Sequence, residues 1–321
     1  MRIDFAIIGA QKAATTYLHQ CLSAHSDVYM PRRETSVFED PDYGTYAQAS
    51  LASMFMERPE PRVGIRRPNY LGREEVPARI ALHCPDIKLV CILRDPVSRA
   101  ISAVYHQMSS GFLPVMDIED CIEALLDGAL QERYPRARDI LNFGLYHRHL
   151  SNYARYFDRG SLFVARQETL LSEDANGISR VFEHLGLSPP PASGLRSKVR
   201  QPGHYHPVTL RLKRLSIAMA MRRNESNTRS YHRNGFLQLA GRGVEEIADV
   251  LAVHVIKAPP PKLSDELGRR LYAFYERDLF MLERDWGISS RDWSMRWQAP
   301  GSAEHRFTAS TLDPGPANSM V

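Results

Sequence analysis

The chain has 321 residues, with 41 Lys and Arg against 37 Asp and Glu for a net charge of +4, and it is 43% hydrophobic and 24% charged. Those proportions are ordinary for a globular protein and exclude a largely disordered, collagen-like or disulfide-scaffold chain. The basic excess is too small to call for nucleic acid as a partner, yet it suits a local basic pocket for a small anion.

In chain order, the apolar run Ile3 to Ile8, closed by Gly9, reads as a buried parallel strand. A helix opens at Thr15 or Thr16 with Leu18, Cys21 and Leu22 on one face. Val28 to Met30 is a second short strand, residues 31–43 are an irregular loop bounded by prolines, and Tyr46 to Met56 a short helix. Lys88 to Leu93 is the clearest buried strand; Asp95 is placed to cap, and Pro96 to start, a helix that runs to Ser109. Helices follow at Ile118 to Leu126, Leu145 to Phe157 and Ile178 to Leu185, with a strand at Ser161 to Ala165. The stretch 211–233 is rich in Arg and Lys and keeps helical spacing of its Leu and Met, and Asp265 to Asp285 is a strong amphipathic helix. The alternation predicts an α/β fold, a P-loop-like central parallel sheet with helices on both faces, as a single domain over 1–297. The tail 298–321, rich in Ser, Ala, Pro and Gly, is expected to be disordered.

No apolar run reaches the length of a membrane span, and Gln11 and Lys12 cut short the N-terminal apolar run, so neither a span nor a signal peptide is expected. Cys21, Cys84, Cys91 and Cys121 form no metal-type spacing and sit in apolar contexts, which reads as reduced buried thiols in the cytoplasm.

Two segments carry chemistry. Gly9 to Thr16 joins a strand to a helix, a geometry that aims backbone N–H groups and a helix N-terminus at one point. Lys12 adds a charge and Thr15 and Thr16 add hydroxyls; the plain alternative is an ordinary strand-to-helix turn with a surface lysine. The motif is not a Walker A loop, because Ala14 precedes the Thr pair where that motif has Gly-Lys. Arg94, at the end of the second clear strand, and Ser102, two helical turns later, form a second candidate phosphate grip. The plain alternative has Arg94 paired with Asp95 and Ser102 as a helix-surface residue.

Two grips on one sheet edge suit a nucleotide with phosphates on two carbons. The sequence resembles the sulfotransferase family, which uses 3′-phosphoadenosine 5′-phosphosulfate. The resemblance rests on IIGAQKAATTYL and LRDPVSRAISAVYH, and continues through Gly144 to Leu187 and Leu263 to Trp293. It is greatest to the carbohydrate type, similar to heparan sulfate sulfotransferases and their bacterial relatives. It implies donor contacts at Gln11, Lys12, Ala13, Ala14, Thr15, Thr16, Arg94 and Ser102, with Arg200 in a late basic loop. Arg33 to Asp40 loosely matches a family segment and makes Glu34 the candidate base, while Lys12 meets charge on the leaving phosphate. The alternative for Glu34 is a surface pair with Arg32 or Arg33. Gly64 to Tyr70 matches a second segment, placing Arg66 and Tyr70 on the acceptor side. Ile65, Arg67 and Ala14 depart from the family pattern, Ala14 standing where glycine is usual. His106, one turn beyond Ser102, is the alternative base or an acceptor contact. The expected reaction is in-line sulfuryl transfer to a hydroxyl of a glycan or other small molecule, with no metal required. A P-loop small-molecule kinase and a non-catalytic nucleotide-binding module remain the alternatives.

Overall fold

In this computed structural model the described residues are 3–44, 60–172, 176–189, 204–226, 228–233, 235–256, 258–259, 261–294 and 297. The expected helix at 46–56, Arg200 and the tail 298–321 lie outside them. Strand β1 (Phe5–Gly9) is buried at every position, as a run without polar interruption requires. Helix α1 (Thr15–Ser23) returns along the sheet with Leu18, Cys21 and Leu22 inward. Strands β2 (Val28–Tyr29) and β3 (Arg62–Arg66) lie on one side of β1. Helix α2 (Val76–His83) then leads to β4 (Lys88–Leu93) on the other side, followed by α3 (Pro96–Ser109). Helices α4 (Ile118–Leu126), α5 (Ala129–Arg133), α6 (Ala137–Asn142) and α7 (Tyr146–Tyr153) precede β5 (Leu162–Arg166) and α8 (Asn176–His184).

The five strands run in the order β2-β3-β1-β4-β5, and every pairing is parallel. The chain leaves β1 toward one side and β4 toward the other. The adjacent carboxyl ends of β1 and β4 therefore form the switch point where open α/β sheets bind ligands. Register brings the relevant residues level: Ile7 pairs with Arg66 on β3 and, across a shift in the ladder, Gly9 pairs with Cys91 on β4. A Cβ on Gly9 would lie 2.6 Å from Leu71 Cβ, so only glycine lets the strand end this close to its neighbour.

Beyond the sheet, α9 (Pro207–Ala220) leads into a two-stranded antiparallel ribbon, β6 (Met221–Arg223) with β7 (Ser230–His232), and then α10 (Phe236–Val250). The basic stretch is thus helical only to Ala220 and then turns into a ribbon, a correction to helical spacing over 211–233. Strand β3, unforeseen because two of its five residues are Arg, forms between β1 and β2, where its Val63 and Ile65 are buried. Helix α11 (Asp265–Trp286) packs against α7, and its Asp278 accepts from the His147 and Arg148 N–H groups at 2.9 and 3.0 Å, capping α7 from a distant element. No helix among the described residues is long and apolar enough to cross a membrane. The four cysteines are free and buried.

Candidate functional site

The β1–α1 loop is bent by two non-glycine residues in the left-handed region, Lys12 at φ 69° and Ala14 at φ 58°. Ala14 occupies the N-cap of α1 and has no side chain to cap it. The first-turn N–H groups of α1 are thereby left to a ligand, with the helix's positive end behind them. Not every loop group is available. The Ala13 N–H donates to the Ala10 carbonyl at 3.2 Å, and the Gln11 amide donates to Asn69 Oδ1 at 2.9 Å, so these two residues brace the loop from within. Burial, and then the nearby Arg94, lower the Lys12 pKa, while Glu34 opposes them. Such a lysine gains from an arriving anion.

Arg94 does not pair with Asp95. Its Nη1 donates to the Lys12 carbonyl at 3.0 Å, which ties the end of β4 to the loop after β1. Asp95 instead caps α3, accepting from the Val97 and Ser98 N–H groups, both at 3.2 Å. The α3 N-terminus is therefore satisfied by protein, whereas that of α1 is not. Ser102 lies on the second turn of α3, partly exposed, and His106 one turn further on has an exposed ring surface. Crowding by surrounding protein, and then the charges of Lys12, Arg136 and Arg67, push the His106 pKa down to about 3. His106 is thus a weak proton acceptor.

On the other flank, the chain leaving β3 meets the segment 33–42. Glu34 is paired at 2.8 Å with Arg67, and neither with Arg32 or Arg33 nor with Arg66. The same Arg67 guanidinium grips Glu39 through Nε and Nη2, both at 2.8 Å. Glu39 is 1% exposed, and Arg229 closes on it at 2.5 Å. Arg66 is buried and turned the other way, its Nη1 donating to Thr16 Oγ1 at 2.8 Å, while its Nε has no protein partner. Tyr70 is wholly buried; its hydroxyl donates to the Thr35 carbonyl, and burial raises its pKa well above the phenol range. It supports the 33–39 segment from below and offers no group to the cleft, which corrects its placement as an acceptor contact.

The fold thus brings Lys12, Arg94, Glu34 and His106 around one cleft at the switch point. Arg66 is bonded to Thr16, and Tyr70 is buried. Sequence reasoning missed Arg67, Glu39, Arg229 and Arg136. Arg67 was visible only as a departure from the family segment. Arg136 lies over the Phe112 ring at 4.3 Å, and burial lowers its pKa to about 10, aided by Arg67 and Arg73 and opposed by Asp139. Among the described residues no group of three or more His, Cys, Asp or Glu side chains is placed to hold a metal.

A family model described as a sulfotransferase domain matches residues 2–236. Heparan sulfate glucosamine 3-O-sulfotransferase 3A1 of Mus musculus is 31% identical over 182 residues, which are 56% of this chain and 45% of that protein. The bifunctional heparan sulfate N-deacetylase/N-sulfotransferase 2 of Homo sapiens is 26% identical over 204 residues, 58% of this chain and 22% of that one. The chain therefore spans less than half the length of these relatives. A sulfotransferase structure from Alicyclobacillus acidocaldarius superposes with a TM-score of 0.62 at 19% identity, covering 92% of this chain and 99% of that one, which establishes a shared fold. The family match favours sulfuryl transfer over the kinase and the non-catalytic module.

Proposed function

Because the chain belongs to the sulfotransferase domain family, we propose that it transfers a sulfuryl group from 3′-phosphoadenosine 5′-phosphosulfate to a hydroxyl of a carbohydrate or glycolipid. The observation that carries this reading is the uncapped N-terminus of α1, with Lys12 between Arg94 and Glu34. The donor supplies the sulfuryl group and a phosphate leaving group. The residues fit it: the free N–H groups of Ala14 to Thr16 and the Lys12 ammonium suit a 5′-phosphosulfate, and Arg94 with Ser102 suits a 3′-phosphate. Arg200 is assigned to the same 3′-phosphate from the family loop alone.

Lys12 meets the negative charge that builds on the oxygen bridging sulfur and phosphorus as that bond breaks. Glu34 takes the proton of the attacking hydroxyl, since it is exposed to the cleft while Arg67 holds it in one orientation. His106 is the weaker candidate for that role, its basicity being suppressed by the surrounding protein and by three cations. The relatives named for heparan sulfate support a glycan acceptor, and the Arg66 Nε, which has no hydrogen-bond partner, supports an acidic one. Four buried free thiols support a reducing compartment such as the cytoplasm.

The test is transfer from labelled donor to an N-sulfated heparosan oligosaccharide, with Lys12→Ala and Glu34→Gln beside the wild type. We expect each variant to lose about 10²–10³ in kcat. Glu34→Gln should keep its affinity for 3′-phosphoadenosine 5′-phosphate, and Lys12→Ala should keep part of it through the backbone N–H groups. Normal turnover in Lys12→Ala would place the reaction elsewhere and sink the reading.

A further inference from the structure

Arg211 and Arg222 of the Arg-rich stretch 211–233 are exposed, but other arginines of the stretch face protein. Three of its arginines clamp protein. Arg214 Nη1 donates to the Leu113 carbonyl at 3.0 Å, and Arg223 Nη2 to the Ser110 carbonyl at 2.8 Å. These two hold the loop that follows α3, the helix carrying Ser102 and His106. Arg229, at the same turn end of the ribbon, reaches the segment 33–42 on the other flank. Its Nη1 lies 2.5 Å from Glu39, and its Nη2 donates to the Asp40 carbonyl at 2.8 Å. The ribbon therefore straps one side of the cleft to the other.

Arg229 is held in advance of this contact. The Asn224 side-chain oxygen accepts from the Thr228 and Arg229 N–H groups, both at 2.9 Å, and the Asn224 N–H donates to the Arg229 carbonyl at 3.1 Å. From Arg229 an unbroken chain of charge-assisted contacts runs through Glu39 to Arg67 and ends on Glu34. One guanidinium makes the last two links: Nε and Nη2 are fixed by Glu39, which leaves Nη1 aimed at Glu34. Without Arg229, Glu39 loses one of the two cations paired with it and Arg67 is free to swing toward it.

We propose that Arg229 is a positioning residue for the reaction, fixing through Glu39 and Arg67 the direction in which Glu34 faces. This rests on the reading of Glu34 as base. The groups facing Glu34 and its holder include Lys12, Arg66 and His19 from the sheet side, Arg229 and Arg73 around Glu39, and Tyr70, His106 and Arg136 near Arg67.

The test is a double-mutant cycle in the full chain: Arg229→Ala, Glu34→Gln and the pair, with Arg229→Lys as the conservative variant. Donor turnover is read with N-sulfated heparosan oligosaccharide and with water alone as acceptor. We expect Arg229→Ala to lose about 10- to 100-fold in kcat, the scale of a misplaced group, while affinity for 3′-phosphoadenosine 5′-phosphate stays within about twofold. Arg229→Lys should recover part of the rate, and Arg229→Ala should cost nothing further in the Glu34→Gln background. Wild-type kcat in Arg229→Ala, with Glu34→Gln inactive, would overturn the positioning role and leave the base in place. So would a full second loss in the double variant. Wild-type turnover in Glu34→Gln would remove the base and this proposal together. Should Arg229→Ala fail to fold, Arg229→Lys and Arg229→Gln run through the same cycle.

Discussion

Replacing Glu39 by Gln tests the buried ion network directly. Burial alone would raise the Glu39 pKa, but Arg67, with Arg229 and Arg73 behind it, overcomes that and holds it at about 2, against an ordinary 4.5. The group is 1% exposed, so little solvent screening applies. The folded pKa lies below the unfolded one, so the carboxylate's contribution is complete above pH 4.5 and is lost as pH falls toward 2. The difference of 2.5 units corresponds to about 3 kcal/mol at pH 7 and to roughly 1–1.5 kcal/mol at pH 3. Glu39→Gln removes that contribution and leaves two arginines facing a neutral amide, at a cost of about 3–5 kcal/mol at neutral pH. For a chain of this size that is a fall of roughly 6–15 °C in Tm. Urea unfolding of both proteins at pH 7 and pH 3 measures it, and the stability gap should narrow by about 2 kcal/mol between the two. A gap of the same size at both pH values would refute the assignment of Glu39 as the depressed carboxylate. No loss at pH 7 would refute the whole network.

Arg94→Ala should weaken 3′-phosphoadenosine 5′-phosphate by about tenfold to a hundredfold, and adenosine 5′-phosphosulfate less, since only the first carries a 3′-phosphate. Both fall somewhat because Arg94 also holds the Lys12 carbonyl; equal losses in calorimetry would remove the 3′-site. Ala14→Gly should raise stability by about 0.5–1 kcal/mol, as relief of the left-handed conformation exceeds glycine's added chain entropy, and a fall in Tm would contradict it. Binding of 3′-phosphoadenosine 5′-phosphate should take up protons at mildly alkaline pH, because the phosphate restores a Lys12 pKa that burial and Arg94 have lowered. Calorimetry in buffers of different ionisation enthalpy reads this directly, and proton release would reverse the sign of the reasoning.

Local sequence determined the elements whose signals are short-range. The uninterrupted apolar runs before Gly9 and Arg94 are strands β1 and β4, and Asp95-Pro96 starts α3 as its capping chemistry requires. That β1 and β4 lie side by side, which brings their two loops to one sheet edge, was decided by the sheet order rather than by the order along the chain. Ala14 was visible as a departure from the family pattern, standing where glycine is usual, but its place at the N-cap of α1 was not. Which charges meet was decided only in three dimensions. Glu34 has Arg33 beside it in sequence, yet its partner is Arg67, delivered by the register of β3 against β1. Arg66 and Arg67 are neighbours, but strand alternation sends one to Thr16 and the other to Glu34 and Glu39. Arg229 reaches Glu39 across 190 positions of chain, and no periodicity encodes such a contact. An ion pair forms where packing sets both charges in a shared low-dielectric site, and that site exists only once the sheet, the segment 33–42 and the ribbon have come together.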